Sequence, residues 1–242
     1  MDITKFLYEG CVIWTLTTSG YKFFTLNLYK HLQLAKVPWK LAIICADVPC
    51  YRFFIGEGIP CILYTKAQKD AGRGQLLFGS KSFQEINLVK LDILSIFATR
   101  SEIETCVYID GDIVVKADFL PDLRLRLAST PLLFQCDETE KGDCNSPCRN
   151  CCTGVLAWKH GHDGGIFLMN DRTKWLEAPE DQRWVNTKLA GVTYKTLPRD
   201  LYPNGVFVEN QPAFLLLHYN HYVGASKILK MKKHGHWIIP YL

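Results

Sequence analysis

Three short apolar runs, each closing on a polar side chain, constrain this chain more than any other feature. They are residues 10–17 (Gly-Cys-Val-Ile-Trp-Thr-Leu-Thr), 40–47 (Lys-Leu-Ala-Ile-Ile-Cys-Ala-Asp) and 60–64 (Pro-Cys-Ile-Leu-Tyr). Near-continuous apolar runs of this length read as strands buried on both faces, which is the habit of parallel sheets. Between them the period changes. A turn at Ser19-Gly20 leads into Tyr21 to Ala35, where Phe24, Leu28, Leu32 and Ala35 recur at i, i+4 and form one apolar stripe. Ser82 to Thr99 repeats the helical pattern through Phe83, Ile86, Leu88, Leu91, Leu94 and Phe97. Strands alternating with helices predict an α/β fold with a mainly parallel, mixed central sheet flanked by helices. With 242 residues and no repeat, low-complexity tract or linker, the chain reads as one domain.

Residues 104–116, Glu-Thr-Cys-Val-Tyr-Ile-Asp-Gly-Asp-Ile-Val-Val-Lys, deliver two carboxylates, Asp110 and Asp112, at the end of a strand-forming run. Such a pair can approach a hard cation such as Mn²⁺ or Mg²⁺ when a turn follows, and Gly111 lets the backbone come close. A cation there would in turn bind a diphosphate. Asp-x-Asp also arises by chance, and a solvated Asp-Gly turn is the plain alternative, so the strand context carries the reading. In open α/β sheets ligands gather beyond the carboxyl ends of the strands, where Thr17, Asp47 and Asp110 fall. Neither Gly-x-Gly-x-x-Gly nor a Gly-x-x-x-x-Gly-Lys-Ser/Thr run is present. The net charge of +4 suits a small anionic ligand and falls short of a nucleic-acid footprint. No stretch of about 18 apolar residues and no leader pattern is visible, so neither membrane insertion nor secretion is expected and a cytoplasmic location is the simpler reading.

Farther along, residues 131–135 and 154–158 read as strands, residues 65–81 as a Gly-containing loop, 161–165 as a turn, and 180–190 as a helix after Pro179. Asp181, at that helix start, suits either an N-terminal cap or a site carboxylate. The final third reads as short strands mixed with aromatic and basic residues. Within it, Leu217 to Lys227 holds an imidazole (His218), a glycine (Gly224) and a cation (Lys227), which together would complete a metal-diphosphate site. His221, His234 and His236 read as ordinary hydrogen-bonded histidines, and Lys230, Lys232 and Lys233 as a solvated basic face. Of ten cysteines, Cys11, Cys45, Cys61 and Cys106 lie in or beside apolar runs and read as core thiols. Cys136, Cys144, Cys148, Cys151 and Cys152 cluster in a segment that could hold zinc, a disulfide or free thiols, without standard zinc spacing. A reducing compartment favours free thiols.

Taken together these residues resemble the metal-dependent, nucleotide-diphospho-sugar glycosyltransferases of the GT-A fold, including the glycogenin-like group and the nucleotide-diphospho-sugar transferases of plants, algae and some of their viruses. The likeness spans most of the chain. Thr15-Leu-Thr-Thr-Ser-Gly-Tyr21 resembles the first strand and nucleotide-binding turn, and Val107-Tyr-Ile-Asp-Gly-Asp-Ile113 the Asp-x-Asp motif. Thr153-Gly154 resembles the small-residue turn beside the donor sugar, Asp181-Gln182 with Asn186 the Asp-Gln helix start, and His218 to Lys227 the His, Gly, Lys tail. The resemblance implies one GT-A, Rossmann-like domain, nucleotide-binding over about 1–120 and acceptor- and metal-completing over about 121–242. It implies that Asp110, Asp112 and His218 hold Mn²⁺ or Mg²⁺, and that Thr17, Thr18 and Tyr21 hold base and ribose. Lys90, Gly224 and Lys227 would contact ribose or diphosphate, and Asp181 and Gln182 would face the transferred sugar. Thr15, Asp47, Gly111, Thr153, Gly154 and Asn220 complete the expected donor-binding set. The implied partners are a nucleotide-sugar donor, with uridine diphosphate the usual carrier, and a glycan or glycoprotein acceptor. The chain departs from the pattern in its Cys-rich insert and in Cys152-Thr153, where relatives often carry Asn-Ala.

The same Asp110-Gly-Asp112-Ile-Val114 run also matches the nucleophile strand of haloacid-dehalogenase-like phosphatases. That fold expects the strand near the start of the domain, whereas about a hundred residues precede it here. A non-catalytic module that binds a nucleotide sugar is the third reading.

Overall fold

The structure, a computed structural model, describes residues 1–64, 80–139, 148, 150–161, 180–210 and 213–241. Seven strands form one sheet in the order β3-β2-β1-β4-β7-β6-β8, and two more form a ribbon, β5-β9. The strands are β1 (Cys11–Thr17), β2 (Leu41–Cys45), β3 (Cys61–Leu63), β4 (Thr105–Ile109), β5 (Ile113–Val115), β6 (Leu132–Cys136), β7 (Cys151–Lys159), β8 (Lys195–Thr196) and β9 (Leu216–His218). The apolar runs read from the sequence are β1, β2 and β3, and they pair in parallel with one another and, through β1, with β4. Antiparallel β7 joins β4 to β6, which makes the sheet mixed.

Helices α1 (Lys22–Leu34) and α3 (Lys81–Ala98) are those that periodicity marks, and α5 (Asp181–Lys188) occupies the segment expected for a third. Three others went unread: α2 (Val48–Gly56), α4 (Leu120–Leu127) and α6 (Gly224–Lys233). Helix α2 buries only Cys50 and Phe54, too few positions for a visible stripe. Helix α4 does bury Leu120, Leu123 and Leu127, a period hidden by its brevity and by Pro121 at its start. Helix α6 buries Lys227 and Met231, and a stripe containing a lysine does not register as apolar. The expected turn of 161–165 is described only at Gly161, where φ is +78°, and the loop expected over 65–81 and Pro179 lie almost wholly or wholly outside the described residues.

Alternation along each strand divides the core in two. Cys11, Ile13, Ile43, Val107 and Ile109 face α1, α2 and the C-terminal segment, whereas Val12, Trp14, Ile44 and Tyr108 face α3 and α5. On the second face the Trp14 ring packs edge-on against Phe97 at 5.3 Å and Tyr108 at 4.6 Å. The cysteines Cys11, Cys45, Cys61 and Cys106 are buried core thiols, and none of the nine described cysteines forms a disulfide. Strand alternation sends Cys151 into the second core beside Cys136 and Cys148, while Cys152 faces the opposite way. Cys144 lies outside the described residues.

The chain's C-terminal segment is tied down by polar groups. Asn27, fully buried in α1, donates from Nδ2 to the His236 carbonyl (2.9 Å) and accepts at Oδ1 from the Ile238 N–H (2.9 Å). His31 Nε2 also donates to the His236 carbonyl at 2.9 Å, and the Tyr219 hydroxyl reaches His236 Nδ1 at 2.7 Å. Burial, reinforced by Lys116, pushes the His236 imidazole down from its ordinary 6.5 to about 4. Because the folded state resists protonation, the unfolded chain binds more protons between those values. Stability from this clamp is therefore full above about pH 6.5 and declines as pH falls toward about 4. Thermal unfolding followed across that range should show this acid loss in the wild type and a flatter profile in His236→Gln; parallel profiles would remove His236 as the cause.

Candidate functional site

The turn between β4 and β5 places Asp110, Gly111 and Asp112 at the carboxyl edge of the sheet. Strand β9 then pairs antiparallel with β5 in the register Ile113↔His218, which lays the imidazole beside the turn. His218 Nε2 lies 3.2 Å from Asp112 Oδ1 and 3.5 Å from Asp110 Oδ2. One ligand atom from each of the three residues falls within 4.8 Å of the others, and this is the one such gathering of three or more potential ligands among the described residues. The described cysteines of the Cys-rich segment, Cys136, Cys148, Cys151 and Cys152, belong to no such set. Two carboxylates and one imidazole are a donor set suited to Mn²⁺ or Mg²⁺. The backbone leaves room for it: a Cβ on Gly154 would stand 2.2 Å from His218 Cε1 and 2.5 Å from Asp110 Oδ2. Any side chain at 154 would fill the space beside His218 and Asp110.

Charges around the trio are paired in a layered way. Lys227, from α6, bonds Asp112 Oδ2. Lys90, from α3, is 4 % exposed, sits 2.7 Å from Asp181 Oδ2 and 4.0 Å from Asp110 Oδ1, and lies 4.2 Å over the Tyr108 ring. The Tyr108 hydroxyl donates to Asp110 Oδ1 at 2.5 Å, and Thr153 Oγ1 donates to Asp181 Oδ2 at 2.8 Å. Burial pushes the Asp112 carboxyl up, but Lys227 and His218 more than offset it and hold it well below the usual carboxylate range. Burial likewise pushes His218 down, and the facing Asp112 raises it well above an ordinary imidazole. Negative charge at Asp112 therefore attracts a cation strongly, whether ammonium, imidazolium or metal.

These groups border a cleft of about 1280 Å³ beyond the ends of β1 and β4. Of the residues expected from the sequence, Thr17, Thr18, Tyr21, Lys90, Asp110, Gly111, Asp112, Thr153, Gly154, Asp181, Gln182, His218, Asn220, Gly224 and Lys227 line it. Asp181 does not cap α5, whose N-cap is Glu180; its carboxylate turns to Lys90 and Thr153 instead. Gly224, at φ +54°, starts α6 and so sets the direction from which Lys227 approaches.

Two expected residues stand elsewhere. Thr15 is wholly buried inside β1 and does not line the cleft. Asp47 spends both oxygens on the backbone: Oδ1 accepts from the Cys50 N–H that opens α2, and Oδ2 accepts from the Ser19 N–H, each at 2.7 Å. It caps a helix and fixes the β1 turn rather than lining the cleft.

Other lining residues escaped the sequence. Asp137 accepts from Gln182 Nε2 at 2.8 Å and meets His221 Nε2 at 3.1 Å, with Asn220 Nδ2 also bonded to it. Burial raises its carboxyl, but the bonds from His221 and Gln182 bring it below the ordinary value. Thr25, one turn into α1, lines the cleft too, and both its hydroxyl and that of Thr18 are buried without a protein hydrogen-bond partner. No local spacing marks Asp137, His221 or Thr25; the sole signal is Asp137's place just beyond an apolar strand, the position shared by Asp47 and Asp110.

Comparison with known proteins gives a consistent fold. No protein-family model matches the sequence, and no curated protein matches it. Among solved structures, 208 chains match. The glycosyltransferase GlyE of Streptococcus pneumoniae TIGR4 is similar at a TM-score of 0.57 and 15 % identity, over 94 % of this chain and 60 % of that one. Galactosyltransferase LgtC, solved with donor and acceptor sugar analogs, is similar at 0.54 and 13 % identity, over 86 % of each chain. Mouse xyloside xylosyltransferase 1 is similar at 0.55 and 9 % identity, over 88 % of this chain and 99 % of that one. The chain thus spans about three-fifths of GlyE's length, and at such identities what is shared is the fold. This chain has the GT-A glycosyltransferase fold, an α/β architecture built on a mixed, mainly parallel sheet.

Proposed function

We propose that this chain is a metal-dependent glycosyltransferase that moves a sugar from a nucleoside diphosphate sugar, a uridine diphosphate sugar, to a hydroxyl of a glycan or glycoprotein acceptor, with retention of anomeric configuration. The observation that carries the reading is the convergence of Asp110, Asp112 and His218 on one side of a large cleft, flanked by the buried ammoniums of Lys90 and Lys227. Two carboxylates with an imidazole, bordered by lysines, match a metal diphosphate in charge. The solved proteins of similar fold include enzymes named for transferring galactose and xylose.

Asp110, Asp112 and His218 would hold Mn²⁺ or Mg²⁺. When bound, the cation supplies Lewis-acid neutralisation of the charge that develops on the departing diphosphate. Lys227 lies close enough to Asp112 to exchange that carboxylate for a phosphate oxygen, and Lys90 provides a second positive charge behind Asp110. Thr17, Thr18 and Tyr21, at the end of β1, border the part of the cleft proposed for base and ribose. Around the sugar, Asp181 is locked by Lys90 and Thr153. Gln182 Nε2 faces two acceptors, Asp137 Oδ2 at 2.8 Å and Asn150 Oδ1 at 3.1 Å, which orients its amide and leaves Oε1 for the substrate.

The phosphatase reading requires a different fold and is set aside on that ground. A non-catalytic binder shares this fold and is distinguished by turnover. Nucleoside diphosphate release should occur from one member of a panel of nucleotide sugars with Mn²⁺, cease with chelator, and fall about 100-fold or more in Asp112→Asn. Metal-dependent binding without release in the presence of acceptors would mark a binding module. Gly154→Ala should weaken Mn²⁺ binding by about 10-fold or more, read by titration of free Mn²⁺, because the new methyl displaces His218 or Asp110; unchanged affinity would remove these residues from the metal site. Gln182→Ala should lower kcat with donor affinity little altered, and wild-type turnover would discard its proposed role beside the sugar.

A further inference from the structure

We infer that Gln135 is a positioning residue that fixes the tautomer and orientation of His218, so that the imidazole presents Nε2 as a lone pair to the metal. The inference rests on the metal reading of Asp110, Asp112 and His218 given above. Gln135 is the last residue but one of β6 and is wholly buried. Its amide has three close polar partners. Nε2 lies 3.1 Å from the Tyr202 carbonyl and 2.9 Å from the Pro203 carbonyl, while Oε1 lies 2.9 Å from His218 Nδ1.

The chemistry of these partners admits one arrangement. Backbone carbonyls only accept, so the end of the amide that faces two of them must be the NH₂ group. The remaining end is then a carbonyl oxygen, which also only accepts. His218 Nδ1 must donate to it, since two lone pairs facing each other at 2.9 Å would repel. With the proton held on Nδ1, the nitrogen free to lose its proton to a metal is Nε2, the atom that faces Asp110 and Asp112. Cys152 Sγ, 3.6 Å from Nδ1, does not compete, for it is a weaker acceptor and already receives the Gly154 N–H at 3.4 Å.

The backbone explains why a residue of β6 reaches β9. Pairing of β6 with β7 runs regularly to Phe134↔Leu156 and then jumps to Gln135↔Cys152. The three intervening residues of β7, 153–155, bulge outward and carry Thr153 and Gly154 to the cleft. Such irregularities re-aim side chains next to sites, and here one bulge serves the Gly154 cradle and the Gln135 contact together.

The test is a Mn²⁺ titration followed by electron paramagnetic resonance of the free ion on wild type, Gln135→Met, Gln135→Glu and His218→Ala, and on the double variant Gln135→Met with His218→Ala. Gln135→Met should lower affinity by about 10- to 100-fold. A protonated Glu keeps the acceptor for the His218 Nδ1–H and one of the two donors to the Tyr202 and Pro203 carbonyls, so Gln135→Glu should stay within about 3-fold of wild type, on the same scale of outer-shell effects. In the His218→Ala background the Met substitution should add no loss, because there is no ring left to orient. Thermal unfolding confirms that each variant is folded, and Gln135→Asn, which withdraws the carbonyl by one methylene, replaces Gln135→Met should that variant not fold. Equal affinity in wild type and Gln135→Met, or an equal loss with and without His218, would overturn the inference. Absence of Mn²⁺ binding to the wild type would overturn the metal reading itself.

Discussion

Everything at the carboxyl edge of this sheet depends on burying three carboxylates without stranding any of them. Asp112, Asp181 and, less deeply, Asp110 come from the β4–β5 turn and the start of α5, and their counter-charges come from other elements altogether. Lys90 reaches in from α3, Lys227 from α6, and His218 from β9. A buried charge stripped of its partner is costly, so each of these elements is held in place by the ion it supplies. The cluster is thereby a cross-brace between the N-terminal strands and the C-terminal helix, apart from the chemistry proposed for it. This explains how α6, whose buried face contains little besides Lys227 and Met231, docks at all.

Close approach is the second constraint. Gly154 lies against both His218 and Asp110, and a Cβ on Gly111 would stand 2.5 Å from Thr25 Oγ1. The two glycines let three strands and α1 crowd one point. The bulge in β7 then turns a sheet otherwise regular on both faces into one with a polar corner, where Gln135, Cys152 and Thr153 leave the core pattern.

Much of the fold was legible because buried parallel strands and long amphipathic helices each impose a period on the sequence. Runs such as Val12 to Leu16 or Leu41 to Cys45 can hardly be anything else, and α3 repeats its apolar stripe for several turns. Elements with short or mixed faces left no such mark, which is why α2, α4 and α6 were not anticipated. The site was legible in part for a different reason. Asp110-Gly-Asp112 is a local cluster, and His218, Gly224 and Lys227 form another, so each can be picked out as a candidate without knowledge of the other. Asp47 misled because a polar residue at a strand end looks the same whether it faces a ligand or caps the next helix, as its bonds to Cys50 and Ser19 show. Thr15 misled because a buried strand threonine and a ligand-facing one share one letter.

By itself the sequence determined the apolar parallel strands and the long helices between them, the two local groups of candidate site residues, and the mild positive charge, since these follow from local period and residue chemistry. Only the tertiary structure decided that β9 pairs with β5 and so sets His218 beside Asp112, that Asp181 turns to Lys90 and Thr153, and that Gln135 of β6 and Asp137 just beyond it join. Those contacts link residues from 28 positions apart, Thr153 with Asp181, to 106 apart, Asp112 with His218. Such pairings are fixed by sheet register, one bulge and the need to neutralise buried charge, none of which is written in any short stretch of the chain.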